Sequence, residues 1–292
     1  MRYDTPAGFR DALEQRLLNR AEATGTDINR LRRRAVFERI LARLADATGE
    51  RWILKGGFAL EVRLGDRARS TRDLDLALGD SAATGADVRD ALIDALSLDR
   101  GDMFDFEVRE PRDITPDDAG RPGWRFTVTA NLAGKEFQKV RVDVVARPEE
   151  IGGRTEQVDV STLLDFADIE SVTMETIDRR QHFAEKLHAL TRDYGDRPSS
   201  RVKDLADLLI LIEDGLLPDD DLLTAVQDVF EVRATHDVPD TIPAPPSSWQ
   251  AEYEAYVSEL DLDAADLDVA HQRLDEFWSK ARSGDDPQGG TR

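Results

Sequence analysis

Between Asp73 and Leu78 the chain reads D-L-D-L-A-L, an alternation that suits a β-strand and little else. Strand side chains point to opposite faces with period two, so Leu74, Leu76 and Leu78 share a buried face while Asp73 and Asp75 share the other. The two carboxylates therefore project together. Ionised acids that close repel unless a cation lies between them, and their hard oxygens suit a divalent metal, with magnesium the first choice.

A glycine pair precedes this strand. Gly56 and Gly57 follow Trp52-Ile53-Leu54, which reads as a strand, and precede Phe58–Leu64, which reads as a helix closed by Gly65. Lacking Cβ atoms, such glycines let backbone N–H groups approach a phosphate at a helix N-terminus. Alone, the pair marks a tight strand-to-helix turn; followed by D-x-D it suggests a phosphate cradle. Arg63, Arg67, Arg69, Ser70, Thr71 and Arg72 lie between the two motifs. Thr71 and Arg72 adjoin the acids, and arginines placed there either hold phosphate in bidentate fashion or face solvent. A third acid comes from Lys139–Val145, where Val140, Val142 and Val144 take the buried face and leave Asp143 opposite them with Lys139 and Arg141. Asp143 is expected to be a third metal ligand or the base for an incoming hydroxyl.

In the second half, Phe183, Leu187 and Leu190 recur at helical spacing and place Lys186 at the edge of an apolar stripe, where it either snorkels to the surface or reaches an anion. Asp204 and Asp207, three apart in an amphipathic stretch, share a helix face, and Asp204 has Arg201 and Lys203 as near ion-pair partners.

The succession G-G-x-A-L, R-S-T-R-D-L-D, R-V-D-V, E-K-L-H-A-L and R-V-K-D-L-A-D-L resembles the AbiEii/AbiGii toxin family, the nucleotidyltransferases of type IV-like bacterial toxin–antitoxin systems, over roughly residues 35 to 215. The resemblance implies an α+β fold with a DNA polymerase β-like nucleotidyltransferase core, a mixed sheet flanked by helices, and a C-terminal helical domain. It also implies NTP and Mg2+ as cosubstrates, a cognate antitoxin and, in some members, nucleotide transfer to the 3′ end of tRNA that stops translation. By the same resemblance Lys186 matches the family's nucleotide-binding lysine and Asp204 its second-domain aspartate, expected to orient Lys186 or another basic group. The chain departs in its first motif, which often reads G-S in the family and is Gly56-Gly57 here.

The expected organisation is N-terminal helices over 1–50 (6–24 and 27–48), a nucleotidyltransferase core over 51–170, a helical domain over 171–282 completing the active-site cleft, and a disordered tail at 283–292. Within the core, strands are expected near 51–55, 73–78, 103–110, 123–131 and 136–146, with helices at 57–65 and 85–97. Residues 147–170 read as a linker or peripheral excursion. Helices follow at 178–194, 200–214, 219–232, 248–259 and 264–282, interrupted by the stiff connector Thr241-Ile-Pro-Ala-Pro-Pro246.

At 292 residues, with 40% hydrophobic and 34% charged, the chain suits two globular domains. It has no apolar run of membrane-span length, and its N-terminus lacks a signal-peptide core, so the expected location is the cytoplasm. With no cysteine there are no thiolate sites or disulfides, the four histidines show no metal spacing, and no G-x-S-x-G elbow is present. The net charge of −21 opposes binding of a polyanion except through basic islands at Arg30–Arg34 with Arg39, before Asp73, at Arg179–Arg180 and at 197–203. The same acidity suits a cationic small-molecule acceptor of the aminoglycoside type. A catalytically silent, partner-binding fold is the third alternative.

Overall fold

The computed structural model describes residues 1–79, 84–114, 122–146, 148–151, 153–195 and 201–283. The segment 115–121, Gly152, part of the basic stretch at 197–203 and the tail beyond Ser283 lie outside the described residues. The chain divides into two compact units. The first comprises Met1–Arg63, Ser70–Pro148 and Thr155–Thr176; the second comprises Leu64–Arg69, Glu149–Arg154 and Ile177–Arg292. The short segments 64–69 and 149–154 thus go with the second unit, a division that departs from a contiguous core over 51–170.

The first unit opens with helices α1 (Pro6–Thr24) and α2 (Ile28–Asp46). Thr5 and Asp27 cap them by accepting hydrogen bonds from the Gly8 and Arg30 amides, which satisfies amides that have no partner inside the helix. There follow β1 (Trp52–Lys55), α3 (Gly56–Leu64), β2 (Asp73–Leu78), α4 (Gly85–Leu96), β3 (Phe104–Val108), β4 (Arg112–Asp113), β5 (Gly123–Leu132), β6 (Lys135–Ala146), the one-turn α5 (Pro148–Ile151), β7 (Thr155–Val160) and β8 (Val172–Ile177). The strands form one mixed sheet in the order β3-β5-β6-β2-β1-β8-β7, with β4 alongside β5. β2 runs parallel to β6 and β1 to β8, while β1–β2 and β5–β6 are antiparallel. This is the expected α+β fold.

Residues 147–170 are a correction to the sequence reading. They are not a peripheral linker, because Thr155–Val160 is the edge strand β7, and β8 behind it lies against β1. The local signal is weak, since only Val160 of β7 is buried and an edge strand needs no strong alternation.

Leu74, Leu76, Leu78, Val142, Val144, Phe126 and Val128 bury one face of the sheet, and Phe9, Leu13, Val36, Phe37 and Ile40 of α1 and α2 belong to the same core. Charged groups that enter this packing are met by groups of opposite charge, as where Arg39 and Arg43 both face Asp102. Arg43 donates to both carboxylate oxygens of Asp102 at 2.7 and 2.8 Å, each side chain 1% exposed. Glu38 accepts from the Leu163 amide at 2.8 Å and from Arg34 at 3.2 Å. Burial nevertheless dominates these lowering contacts and pushes the Glu38 carboxyl up from 4.5 to about 7. The folded state therefore keeps a proton that the unfolded chain has released, so stability declines as pH rises from 4.5 to about 7. Glu38→Gln is expected to flatten that decline in Tm and to be the more stable protein at pH 8. Parallel Tm curves for the two proteins would contradict this assignment.

The second unit is helical: α6 (Arg179–Thr191), α7 (Val202–Glu213), α8 (Asp220–Arg233), α9 (Gln250–Leu260) and α10 (Leu267–Ser283). Asp178 and Asp219 cap α6 and α8. α7 buries nine of the ten positions Val202–Leu211, all but Lys203, and Asp204 and Asp207 are among them. No helix of the described residues is long and apolar enough to cross a membrane.

Candidate active site

Strand register builds the centre of the first unit. Lys55 of β1 stands opposite Asp75 of β2, Asp75 beside Asp143 of β6, and Asp143 opposite Arg125 of β5. Register partners share a sheet face, so four strands contribute one row of charges in the order cation, acid, acid, cation. Two residues along β2, Asp73 stands beside Arg141. The acids Asp73, Asp75 and Asp143 are thus brought onto neighbouring strands, all half-buried, with the leucines and valines between them directed into the core.

Gly56 lies against this row. It opens α3 with φ +66°, in the left-handed region, and a Cβ there would fall 2.0 Å from Oδ2, 2.6 Å from Cγ and 2.8 Å from Cβ of Asp75. The first glycine of the pair is therefore needed because the Asp75 carboxylate occupies the space of its missing side chain. Gly57 is buried in the first turn of α3.

The acids are engaged by arginines. Arg125 donates from Nε and Nη2 to the two Asp143 oxygens at 2.8 and 2.6 Å, and Arg141 pairs with Asp73. The hydrogen bonds to Asp143 hold the Arg125 guanidinium above its ordinary pKa; partial burial opposes them, and the charges of Asp143, Asp73 and Asp75 add to them. All three acids therefore act on one guanidinium. Among the described residues no three acid or histidine side chains are gathered tightly enough to hold a metal ion in this arrangement. Asp73, Asp75 and Asp143 nonetheless offer the hard oxygen donors that a divalent cation takes, and Arg125 and Arg141 now balance the charge of Asp143 and Asp73. Arg125→Gln is accordingly expected to tighten Mn2+ binding about fivefold, the effect of roughly 1 kcal/mol left after solvent screening of a side chain that is 41% exposed. Electron paramagnetic resonance of free Mn2+ measures this, and unchanged or weaker affinity would show that Arg125 does not compete with the cation.

Thr71 is buried and its hydroxyl donates to the Asp73 carbonyl at 3.1 Å, a contact that shapes the entry to β2. Arg72 is exposed beside it, and its charge, after burial, helps lower the pKa of Arg33 on α2. The other arginines of this stretch hold carboxylates: Arg63 with Glu156 at 2.7 Å, Arg67 with Glu213 and Asp214 at 3.9 Å, and Arg69 with Asp207 at 2.8 Å. Several residues of the other basic islands are also paired, Arg32 with Glu14, Arg34 with Glu38, Arg179 with Asp214 and Arg180 with Asp219.

The second unit has its own charged centre. Lys186 of α6 is 2.9 Å from Asp204 and 2.7 Å from Asp207 of α7, with side-chain exposures of 12%, 3% and 1%. Arg69 donates from Nε and Nη2 to Oδ1 and Oδ2 of Asp207, both at 2.8 Å, so that Oδ2 is shared with Lys186, and Arg201 reaches Asp204 at 3.3 Å. Burial alone would lower the Lys186 pKa, but Asp207 and Asp204 outweigh it and raise the group above its ordinary value. Lys186 is thus a fixed cation. Both expectations for Asp204, contact with Lys186 and with Arg201, are met in one arrangement. Lys55, Arg125, Arg69 and Asp207 are the members that sequence reasoning did not assign. Asp207 carried a signal in its spacing from Asp204, whereas Lys55 and Arg125 are placed by strand register alone.

Residues 39–280 match the family described as "Nucleotidyl transferase AbiEii toxin, Type IV TA system". Among solved structures, the chain is similar to MenT4, a nucleotidyltransferase toxin from Mycobacterium tuberculosis H37Rv, at 21% identity and a TM-score of 0.52 over 93% of this chain and 98% of that one. A putative nucleotidyltransferase from H. pylori matches at 16% identity and a TM-score of 0.39, covering 85% of this chain and 91% of that one. An antigenic nucleotidyltransferase-like protein from Paracoccidioides brasiliensis matches at 15% and 0.39, covering 69% and 88%. No curated protein matches the chain at significance.

Proposed function

Because the chain belongs to the AbiEii nucleotidyltransferase toxin family, we propose that it transfers a nucleoside monophosphate from NTP to the 3′-hydroxyl of tRNA and so blocks translation. The observation that carries this reading is the row Lys55, Asp75, Asp143, Arg125 lying against Gly56. A divalent cation, Mg2+ by its preference for hard oxygens, would be held by Asp73, Asp75 and Asp143 and would neutralise charge on the triphosphate. In the transfer, the acceptor oxygen forms a bond to the α-phosphorus, the bond from that phosphorus to the β-phosphoryl oxygen breaks, and pyrophosphate leaves.

The residues then divide the work. Gly56 and Gly57 give the triphosphate access to backbone amides of α3. Arg125 and Arg141 release their carboxylates and turn to phosphate oxygens, for which a planar guanidinium is well shaped. Asp143 orients the incoming hydroxyl or accepts its proton. Lys186, held protonated by Asp204 and Asp207, supplies a permanent positive charge for the nucleotide. Arg72, exposed beside the acids with Thr71 ordering the turn behind it, is a further phosphate contact. The choice of tRNA rests on the family resemblance, which also supports a cognate antitoxin as partner and the cytoplasm as the place of action.

The test is incubation of purified protein with total tRNA, Mg2+ and each α-labelled NTP in turn, beside an Asp73→Ala control. Label on tRNA from wild type alone is the expected result. The net charge of −21 favours a second reading, a cationic small-molecule acceptor. Label transferred to an aminoglycoside and not to tRNA would establish that reading instead, and no transfer to either would leave a partner-binding fold.

A further inference from the structure

A cavity of about 570 Å³ opens inside the helical unit, between the turn that ends α6, Leu205 of α7 and the segment Ile242–Pro246. Its size is that of a small-ligand pocket. One wall is Pro243, Pro245 and Pro246, whose fixed backbone and missing N–H groups leave a preformed, donor-poor surface. Tyr194 lines the opposite side. Its hydroxyl donates to the Ala189 carbonyl at 3.2 Å, which fixes the ring's direction. Two guanidinium groups lie over that ring, Arg201 at 4.7 Å and Arg192 at 5.4 Å from its centroid. In a chain of net charge −21, two arginines gathered on one aromatic ring beside an apolar cavity are a local concentration of positive charge, set next to Asp193 of the lining and to Asp204, which holds Arg201.

We propose that this cavity takes an unpaired nucleobase of a single-stranded polynucleotide, stacked on Tyr194, with its flanking phosphates met by Arg192 and Arg201. The inference deepens the reading of a polynucleotide acceptor and rests on it. Guanidinium groups and bases compete for the same ring face, so a base that displaces one arginine frees it for the phosphate the base brings with it. A strand carries a phosphate on each side of every base, which matches two cations sharing one ring. An apolar peptide offers the arginines nothing. A duplex cannot present an unstacked base. The rim also touches the site already described, because Arg201 holds Asp204, the carboxylate that holds Lys186.

Fluorescence anisotropy tests this with the full chain in EDTA and without NTP, using a labelled 12-nucleotide single-stranded RNA and the same strand in a duplex. The expected result is that the single strand binds at least tenfold tighter than the duplex. Tyr194→Leu should weaken it about fivefold or more, and Tyr194→Phe should stay within twofold. Arg192→Gln should reduce the slope of log K against log salt by about 0.7, the value for one phosphate contact on a single strand. Equal binding of strand and duplex, an unchanged affinity in Tyr194→Leu, an unchanged salt slope in Arg192→Gln, displacement of the strand by equimolar ATP, or no RNA binding at all would each overturn the proposal. Arg192→Gln alters an arginine at the cavity rim and serves if Tyr194→Leu fails to fold. The assay is independent of transfer: RNA binding with these variant effects but no labelled product would sink the transferase reading alone. Labelled tRNA with a fully binding Tyr194→Leu would sink this one alone.

Discussion

Gly56→Ala is expected to lower nucleotide transfer at least 10³-fold, about 4 kcal/mol of transition-state stabilisation, while the protein still folds. The new Cβ would stand 2.0 Å from the Asp75 oxygen and 2.8 Å from the Asp75 Cβ, so rotating the carboxylate does not relieve the overlap and Asp75 must leave its place in the row. A side chain at φ +66° adds a left-handed backbone cost of about 1 kcal/mol. Gly25→Ala separates these effects. Gly25 has φ +69° with nothing within 4 Å of a built Cβ, so it carries the same backbone strain without the collision. That variant should lose a similar few degrees of Tm and keep full activity. Retention of more than a tenth of wild-type transfer by Gly56→Ala would show that the position of Asp75 is not what demands glycine there.

The second large effect concerns Lys186. Lys186→Met removes the cation from between two carboxylates that are 3% and 1% exposed, leaving Asp204 with Arg201 and Asp207 with Arg69. Breaking a buried pair in this way costs about 3–5 kcal/mol, which corresponds to roughly 10 °C in Tm for a chain of this size. Asp207→Asn in the same chain should restore part of that loss, because it removes one of the two charges left behind. Acid titration reports the network in the wild type. Burial would raise the Asp207 carboxyl, but Lys186 and Arg69 outweigh it and lower it from 3.8 to about 2. A depressed acid contributes stability that is present above the unfolded value and lost as pH falls through the folded one. The window is therefore pH 4 down to 2, and the slope there should be shallower in Asp207→Asn. An equal slope, or a Lys186→Met variant within 2 °C of wild type, would mean that the pairing contributes little.

Some of this was legible in the residues and some was not. The strand at 73–78 and its two acids followed from period-two alternation, which is local information. So did the helix near 27–48, whose start the structure places at Asp27, which caps α2. The meeting of Lys186 with Asp204 was anticipated through the family resemblance, whereas periodicity by itself offered Asp204 only its near neighbours Arg201 and Lys203. Asp143 was expected to join the two acids, but the flanking cations Lys55 and Arg125 were not, since their places depend on which strands pair and in what register, and no single strand encodes its partner. The arginine clusters misled in a related way. Arg69 and Asp207 are 138 residues apart, and a run of cations says nothing of the acids that will fold onto it. β7 went unread because an edge strand with one buried residue has almost no pattern to read.

The charge row also sets a clock on the protein's own synthesis. Its members come from β1, β2, β5 and β6, and Asp73 is separated from its neighbour Arg141 by 68 residues. Until β6 has left the ribosome, Asp75 has no Asp143 beside it and Arg125 has no carboxylate to hold. The parallel pairing of β2 with β6 must also wait for the long intervening chain to close, a slow step for any sheet. A nascent or truncated chain ending before Asp143 therefore cannot assemble the row.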